Sequence, residues 1–356
     1  MAIMALDHTR DFFTTSGFNP RDVTDPALFL TRWITHFCAP MFIFLAGLSA
    51  FLHSRSRSTE ELTRFLLTRG LWLILLDLTL IKLGWRFELN LYRLGAGVIF
   101  VIGVSMVALA ALIWLPRWAT AAVSFIMLAG HNLLDGVTAE QFGEGSSAWH
   151  IVHEPGLVLL GDRVTLNVLY PLIPWIGVMA AGYLLGPLMQ LEGRVRQPLL
   201  FRLGAAVTFG FFVLRATNLY GDPTPWSFQD SWVWTILSFL NCEKYPPSLL
   251  YLMMTLGPAL MLLAWLDEAR GALASFFVTF GRVPFFYYVI HIYLIHALAV
   301  VTAFAMTGVL TTTPEMNFSL KSLYITWLLV IVLLYPICRW FAQLKQRGSG
   351  WWWSYL

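Results

Sequence analysis

The sequence predicts an all-α, polytopic integral membrane protein, and three observations support this fold class. Hydrophobic residues make up 58% of the 356 residues and charged residues only 12%, against about 25% charged residues in an average soluble domain. The mean hydropathy is +0.68. Nine long apolar runs follow one another along the chain, and a membrane-spanning helix needs about 20 such residues.

The same composition excludes several classes of protein. A soluble globular enzyme needs more polar residues to cover its surface, and a disordered chain has far fewer apolar ones. The net charge of +3 is too small for a surface that neutralises nucleic-acid phosphates, so no nucleic-acid partner is expected.

The apolar runs predict the positions of the spanning segments. They cover 27–52, 65–82, 92–114, 118–134, 166–189, 199–217, 248–266, 273–306 and 321–343. The run 273–306 is long for one helix and contains Gly281 and Pro284, so it predicts a short segment followed by the main span from about residue 284. The apolar start, Met1 to Leu6, rises only about 9 Å as a helix. We therefore expect about ten transmembrane helices in one domain, 1–356, with the first helix truncated at its N-terminus.

The loops between these segments predict an orientation. One alternating set of loops is short and basic, and it includes Arg64 and Arg69, whereas the other set is long. Because basic loops remain on the cytoplasmic side, this pattern predicts a cytoplasmic C-terminus. It also places Asp7 and His8 toward the outer face.

Ionisable side chains within spanning segments are candidates for function, because their burial in a membrane is costly. Asp7, His8, Arg10 and Asp11 form the densest group. On a helix, Asp7 faces Arg10 and Asp11, and His8 faces Asp11. A carboxylate beside an imidazole can orient it and raise its basicity, as a general base requires. The alternative interpretation is an interfacial helix end whose charges meet water.

Two further histidines are candidates. His36 precedes Pro40, which breaks a helical hydrogen bond and can leave a carbonyl group for a ligand or water; the alternative is a buried histidine bonded to a neighbouring helix. His291 shares a helix face with Tyr287 but not with His296. No metal-ligand spacing connects these groups, so no metal site is expected.

The predicted outer loops contain polar groups that can bind an acceptor. The candidates for this role are Asp11, Glu243, Lys244 and Tyr245. The loop 241–249 contains two prolines, and Ser248 is a plausible N-cap of the next helix; the alternative is a rigid helix-entry turn. His150 and His153, in another outer loop, are interpreted as solvated.

Four stretches resemble a known family. They are Met4–Phe13 (MALDHTRDFF), Phe37–Gly47 (FCAPMFIFLAG), Lys244–Leu249 (KYPPSL) and Phe280–Tyr288 (FGRVPFFYY). With them the chain resembles bacterial proteins grouped with the catalytic domain of heparan-α-glucosaminide N-acetyltransferase, within the wider transmembrane acyltransferases. The resemblance implies an enzyme of the bacterial inner membrane. It would transfer an acetyl or other acyl group from cytoplasmic acyl-CoA to an amino or hydroxyl group of a sugar or glycan outside.

The resemblance also implies roles for individual residues. A histidine near the outer end of the first catalytic-domain helix is expected to be catalytic, and His8 matches it by position, with Asp7 as its partner. If His8 is not that residue, His36 or His291 is the next candidate. The co-substrate is expected to be acetyl-CoA or another acyl-CoA.

Arginines in the basic loops, Arg64 and Arg69 in particular, are candidates for attracting the CoA phosphates. The expected partners are the lipid bilayer and the sugar or glycan acceptor, and homodimer formation is left open. The alternative function is a multi-span transporter or flippase without covalent chemistry. Transporters often contain inverted repeats, and the two halves of this sequence show no such symmetry.

Overall fold

The computed structural model describes residues 1–14, 25–311 and 318–348. The described residues are mainly helical, and the chain is an all-α polytopic membrane protein, as predicted. Among the described residues, six helical segments are long and apolar enough to cross a membrane, when Pro26–Ser54 and Leu172–Gln190 are each counted as one, or seven if one bent pair forms a single span. The total of ten spans therefore stays a prediction.

The described ranges contain fifteen α-helices and three short strands. The helices are α1 (Ala2–Phe13), α2 (Pro26–Thr35), α3 (Cys38–Ser54), α4 (Thr59–Leu76), α5 (Lys82–Arg86), α6 (Val98–Leu112), α7 (Arg117–Phe125), α8 (Ser146–Val152), α9 (Leu172–Leu185), α10 (Gly193–Thr217), α11 (Trp232–Leu240), α12 (Leu249–Leu266), α13 (Ala272–Gly281), α14 (Pro284–Thr307) and α15 (Leu320–Arg347). The strands are β1 (Arg93–Ala96), β2 (Gly156–Leu160) and β3 (Val164–Val168).

Two local predictions are confirmed. Helix α13 ends at Gly281 and α14 begins at Pro284, where proline is well tolerated because the first helical N–H has no intrahelical partner. Ser248 caps α12, since its Oγ accepts a hydrogen bond from the Tyr251 N–H at 3.0 Å.

The small sheet was not expected from the apolar pattern. Strand β1 pairs in parallel with β3, and β2 pairs antiparallel with β3. Ala96, Val158, Leu166 and Val168 form a buried apolar cluster within it. The apolar pattern alone does not distinguish a strand of four or five residues from part of a spanning helix. The run 92–114 therefore contains the strand β1, and its helix begins only at Val98.

The described chain forms two compact units. The first consists of Met1–Cys38, Thr79–Leu89 and Ala269–Leu356, and the second of Ala39–Leu78 and Asn90–Glu268. Within the first unit, α1 packs on α14 and α15, and α14 packs on α5. Within the second unit, α10 packs on α12, α4 on α6, and α6 and α7 on α9. The single domain expected over 1–356 stays a prediction.

Candidate functional site

Helix α1 carries the polar group that the sequence singled out. Arg10 is buried, Asp7 is half-buried and Asp11 is exposed. The Arg10 Nη2 lies 2.9 Å from Asp7 Oδ1 and 2.8 Å from Asp11 Oδ1, which confirms that Asp7 and Arg10 face each other. The Thr35 hydroxyl donates a second hydrogen bond to Asp7 Oδ1, at 2.9 Å. One guanidinium therefore contacts both carboxylates near His8.

His8 meets a second histidine from the other end of the chain. Its Nδ1 lies 2.7 Å from Nε2 of His291 on α14, and the two rings are nearly parallel, with centroids 4.8 Å apart. The edges of Trp85 and Tyr288 enclose the His8 ring at 4.8 and 5.9 Å. His291 is fully buried, and its ring stacks on Tyr287 at 5.2 Å, so the predicted shared face of these two residues is confirmed.

An aromatic row continues from this pair within the same unit. Phe12 stacks on Trp85 at 5.1 Å and on His296 at 4.7 Å. Phe87 covers His296 at 3.8 Å, and the His296 Nδ1 lies 2.8 Å from the Gly84 carbonyl oxygen. Rings around His8 lower the local dielectric constant, which strengthens electrostatic interactions there. Sequence reasoning missed this row, because Trp85 lies in the five-residue helix α5 and Phe87 directly follows it, and so short a helix shows no periodic pattern.

The side chains of Asp7, His8 and Asp11 are also close enough to form a metal-ligand set. Their ligand atoms lie within 4.8 Å of one another. A cation at this position would compete with the Arg10 guanidinium, whose Nη2 is already within 2.9 Å of an oxygen of each carboxylate. The donor set therefore fits a metal ion poorly.

His36, another predicted catalytic residue, is buried in the short turn between α2 and α3. Helix α2 ends at Thr35 and α3 begins at Cys38. The helical conformation is therefore interrupted before Pro40 and not at Pro40. Pro40 lies in the first turn of α3, where backbone N–H groups lack intrahelical partners. The expectation that Pro40 breaks a helical hydrogen bond is therefore corrected, and the catalytic role of His36 stays a prediction.

The predicted CoA-binding arginines lie on α4, in the second unit. Arg64 is exposed and Arg69 is half-buried. The guanidinium carbons of Arg57 and Arg69 lie 4.7 and 5.9 Å from the centroid of the Phe65 ring, on which His53 also stacks at 5.1 Å. We call His53, Arg57, Arg64, Phe65 and Arg69 the Phe65 patch. It offers positive charge and an aromatic surface side by side.

A comparison with protein families decides the class of protein. Residues 1–214 match the family model described as heparan-alpha-glucosaminide N-acetyltransferase, catalytic. The chain belongs to this family. No match to a curated protein was found. Membership of this acetyltransferase family, with the long apolar helices, indicates a membrane acetyltransferase.

The range that matches the N-acetyltransferase family covers only part of the site. It contains His8, Trp85 and the Phe65 patch, and it ends before the loop 241–249 and before His291. The matched range therefore includes His8 but not His291, the residue on α14 that His8 contacts.

The loop 241–249 of this N-acetyltransferase family member is held by its own side chains. Glu243 Oε1 accepts hydrogen bonds from the backbone N–H groups of Lys244 and Tyr245, both at 3.2 Å. Lys244 is buried, and its Nζ lies 5.1 Å from the centroid of the Tyr245 ring. These contacts favour the alternative of a rigid helix-entry turn, and the acceptor-binding role of these three residues stays a prediction.

One interpretation of the outer loops is wrong. His153 is only 3% exposed, although a loop position predicted a solvated side chain. His153 directly follows the short helix α8. Its ring centroid lies 5.0 Å from that of Trp149, and its Nε2 lies 3.7 Å from Asp135 Oδ1. Burial lowers the pKa of His153, and the nearby Asp135 opposes part of that change. A seven-residue helix is too short for a periodic pattern to show which side of it, and of the residue that follows it, is buried.

Proposed function

We propose that the protein transfers an acyl group from cytoplasmic acyl-CoA to an amino or hydroxyl group of a sugar or glycan on the outer side of a bacterial inner membrane. The observation that carries this proposal is the 2.7 Å contact between His8 and His291, inside an aromatic enclosure, in a member of an acetyltransferase family. An imidazole is the commonest general base in enzymes, because its protonation changes near neutral pH.

In the proposed reaction His8 removes a proton from the acceptor. The acceptor nitrogen or oxygen forms a bond to the thioester carbonyl carbon, and the carbon–sulfur bond of the acyl-CoA breaks. The proton passes from the acceptor to His8 and then to the departing CoA sulfur, so no other reactant is needed. Asp7 and Arg10 form a balanced ion pair beside the base, and the exposed Asp11 is the proposed contact for a polar acceptor.

The Phe65 patch is the proposed attachment point for the donor. CoA carries several phosphate charges, and arginine guanidinium groups bind phosphate oxygens through charge-assisted hydrogen bonds. Arg64 is exposed to solvent, and Arg57 and Arg69 lie over one ring. We propose that this side of the protein, with the C-terminus, faces the cytoplasm, as basic loops generally do.

Proteoliposomes of known orientation test the proposal. Acyl-CoA carrying a labelled acyl group is supplied only at the face that bears Arg64, and a glucosamine-type acceptor is enclosed at the other face. Label on the enclosed acceptor is the expected result. Labelling only when both substrates share one face would replace it by a one-sided acyltransferase, and passage of unmodified acceptor without acyl transfer would favour the carrier alternative.

Variants at the two proposed sites make the test specific. His8→Ala should lower turnover by about 10²–10⁴, the usual contribution of general base catalysis, whereas His150→Ala in the second unit serves as the matched control. Near-normal transfer by His8→Ala would remove His8 from the mechanism.

The donor site is tested separately. The double substitution Arg64→Gln with Arg69→Gln should raise KM for acyl-CoA more than it lowers kcat, since phosphate binding far from the reacting carbon is uniform binding. Arg194→Gln, at an arginine that is 82% exposed, is the control. An unchanged KM for acyl-CoA in the double variant would exclude the Phe65 patch as the donor site.

A further inference from the structure

The hydrogen-bond partners of His291 show where its hydrogen lies. Its Nδ1 is 2.9 Å from the backbone carbonyl oxygen of Tyr287. A carbonyl oxygen can only accept a hydrogen bond, so the Nδ1 of His291 carries the N–H. The side chain is fully buried, which disfavours a charged ring. In a neutral imidazole with Nδ1–H, the Nε2 holds a lone pair and can only accept.

The same reasoning extends to His8. Its Nδ1 lies 2.7 Å from the His291 Nε2, and because that atom accepts, the His8 Nδ1 must donate. A neutral His8 then carries its only N–H at Nδ1 and its lone pair at Nε2. We infer that His291 is a positioning residue, which holds His8 in the Nδ1–H tautomer so that Nε2 is the basic atom. The catalytic part of this inference rests on the proposed function.

The choice of an imidazole as the orienting group has an electrostatic reason. A carboxylate often fixes the tautomer of a catalytic histidine, but here the position is held by a fully buried side chain, where a net charge would be costly. The Asp7 Oδ1 is instead bound by Arg10 and Thr35. A neutral His291 orients His8 without adding charge to the aromatic enclosure.

The arrangement is also compatible with the proton transfer. When the acceptor's N–H or O–H bond breaks and a new N–H bond forms at His8 Nε2, the Nδ1–H of His8 keeps its hydrogen bond to His291. His291 does not need to gain or lose a proton in that step. The proton leaves His8 Nε2 for the CoA sulfur, and the starting tautomer is restored.

Two substitutions at His291 separate tautomer control from packing. In His291→Gln the side-chain carbonyl can still accept from the His8 Nδ1–H, whereas His291→Met is of similar length and offers only a weak acceptor. We expect His291→Gln to keep kcat within about fivefold of the wild type, and His291→Met to lose about 10²-fold or more, by analogy with the about 10⁴-fold cost of a wrong tautomer in a serine protease. KM for both substrates should change little. Equal activity of His291→Met and the wild type would overturn the inference.

Nuclear magnetic resonance of the wild-type protein tests the tautomer without any activity. The protein is labelled with ¹⁵N-histidine in lipid bilayers, and the His8 signals are those that disappear in His8→Gln. Protonated and unprotonated ring nitrogens have distinct shifts, so the expected result is a protonated Nδ1 and an unprotonated Nε2. An Nε2–H form of His8 would overturn the inference. If the spectrum shows the Nδ1–H form but the wild type transfers no acyl group from any acyl-CoA tested, the tautomer assignment stands and the proposed function fails.

Discussion

Replacing Arg215 by Met tests whether a buried charge in the second unit stabilises the fold. The side chain is 1% exposed, although it sits at the end of the apolar helix α10. Its guanidinium donates to the carbonyl oxygens of Phe239 and Thr224, each at 2.9 Å, and of Ser238 and Asn241, each at 3.2 Å. Three of these carbonyl groups, those of Ser238, Phe239 and Asn241, lie at the C-terminal end of helix α11. Backbone C=O groups at that end have no partner within the helix.

The expected loss follows from these contacts. Asp222 Oδ1 lies 3.6 Å from the Arg215 Nη1, and both side chains are 1% exposed. Removing one member of a buried ion pair costs about 3–5 kcal/mol, and each buried carbonyl left without a donor adds about 1–3 kcal/mol. Together these losses are comparable with the whole of the about 5–15 kcal/mol that stabilises a typical protein. By contrast, the Arg194–Glu192 pair is shorter, at 2.7 Å, but 82% and 70% exposed, and such a pair contributes about 0–1 kcal/mol.

Thermal melting in detergent, read by fluorescence-detected size-exclusion chromatography, distinguishes the two sites. Arg215→Met should give little monodisperse protein or a melting temperature about 10 °C or more below the wild type. Arg194→Met should melt within about 2 °C of the wild type. A wild-type melting temperature for Arg215→Met would refute the reasoning. It would mean that burial does not determine how much these contacts contribute to the free energy of unfolding.

Two further predictions concern packing and pH in the second unit. A Cβ added by Gly182→Ala would overlap the carbonyl oxygen of Phe44, well inside the 3.0 Å that real Cβ atoms keep, so the melting temperature should fall by the equivalent of about 1–3 kcal/mol. The control Gly281→Ala, which lies in the first unit, adds a Cβ that meets nothing within 4 Å and should leave the melting temperature unchanged; equal melting of the two variants would contradict the prediction. Because burial lowers the pKa of His153, the unfolded chain binds more protons than the folded one once the pH falls below about 6.5. The melting temperature should therefore decline between about pH 7 and pH 5, and an equally steep decline in His153→Gln would exclude this histidine as the cause.

Features that depend on neighbouring residues were predictable from the sequence. The break before Pro284, the Ser248 cap and the pairing of Asp7 with Arg10 each involve residues no more than about four positions apart. The periodicity of a helix relates such residues directly. The burial of His153, directly after the seven-residue α8, and the three strands were missed because these segments are too short to show a period.

The contact between His8 and His291 could not be predicted from helical periodicity. His8 and His291 are 283 positions apart, and each was a separate candidate because nothing in a single sequence shows that α1 packs on α14. The orienting role was given to Asp7 because it is adjacent to His8 in sequence. In the structure Asp7 Oδ1 binds Arg10 and Thr35, and a distant side chain meets the His8 Nδ1. Adjacency in sequence was a weak guide, since i and i+1 side chains on a helix do not face each other.

The two histidines of the site lie in different parts of the chain relative to the family match. Residues 1–214 carry the match to the acetyltransferase family, and they include His8 and the Phe65 patch but not α14. The unit that contains both imidazoles is assembled from the two ends of the chain and the segment Thr79–Leu89, which contributes Trp85. The matched residues alone therefore do not complete the proposed base, because its tautomer depends on a carbonyl and a ring nitrogen supplied by α14. A substitution that removes the hydrogen-bond acceptor on α14 but leaves the fold intact, such as His291→Met, should therefore impair the chemical step although it lies outside the match.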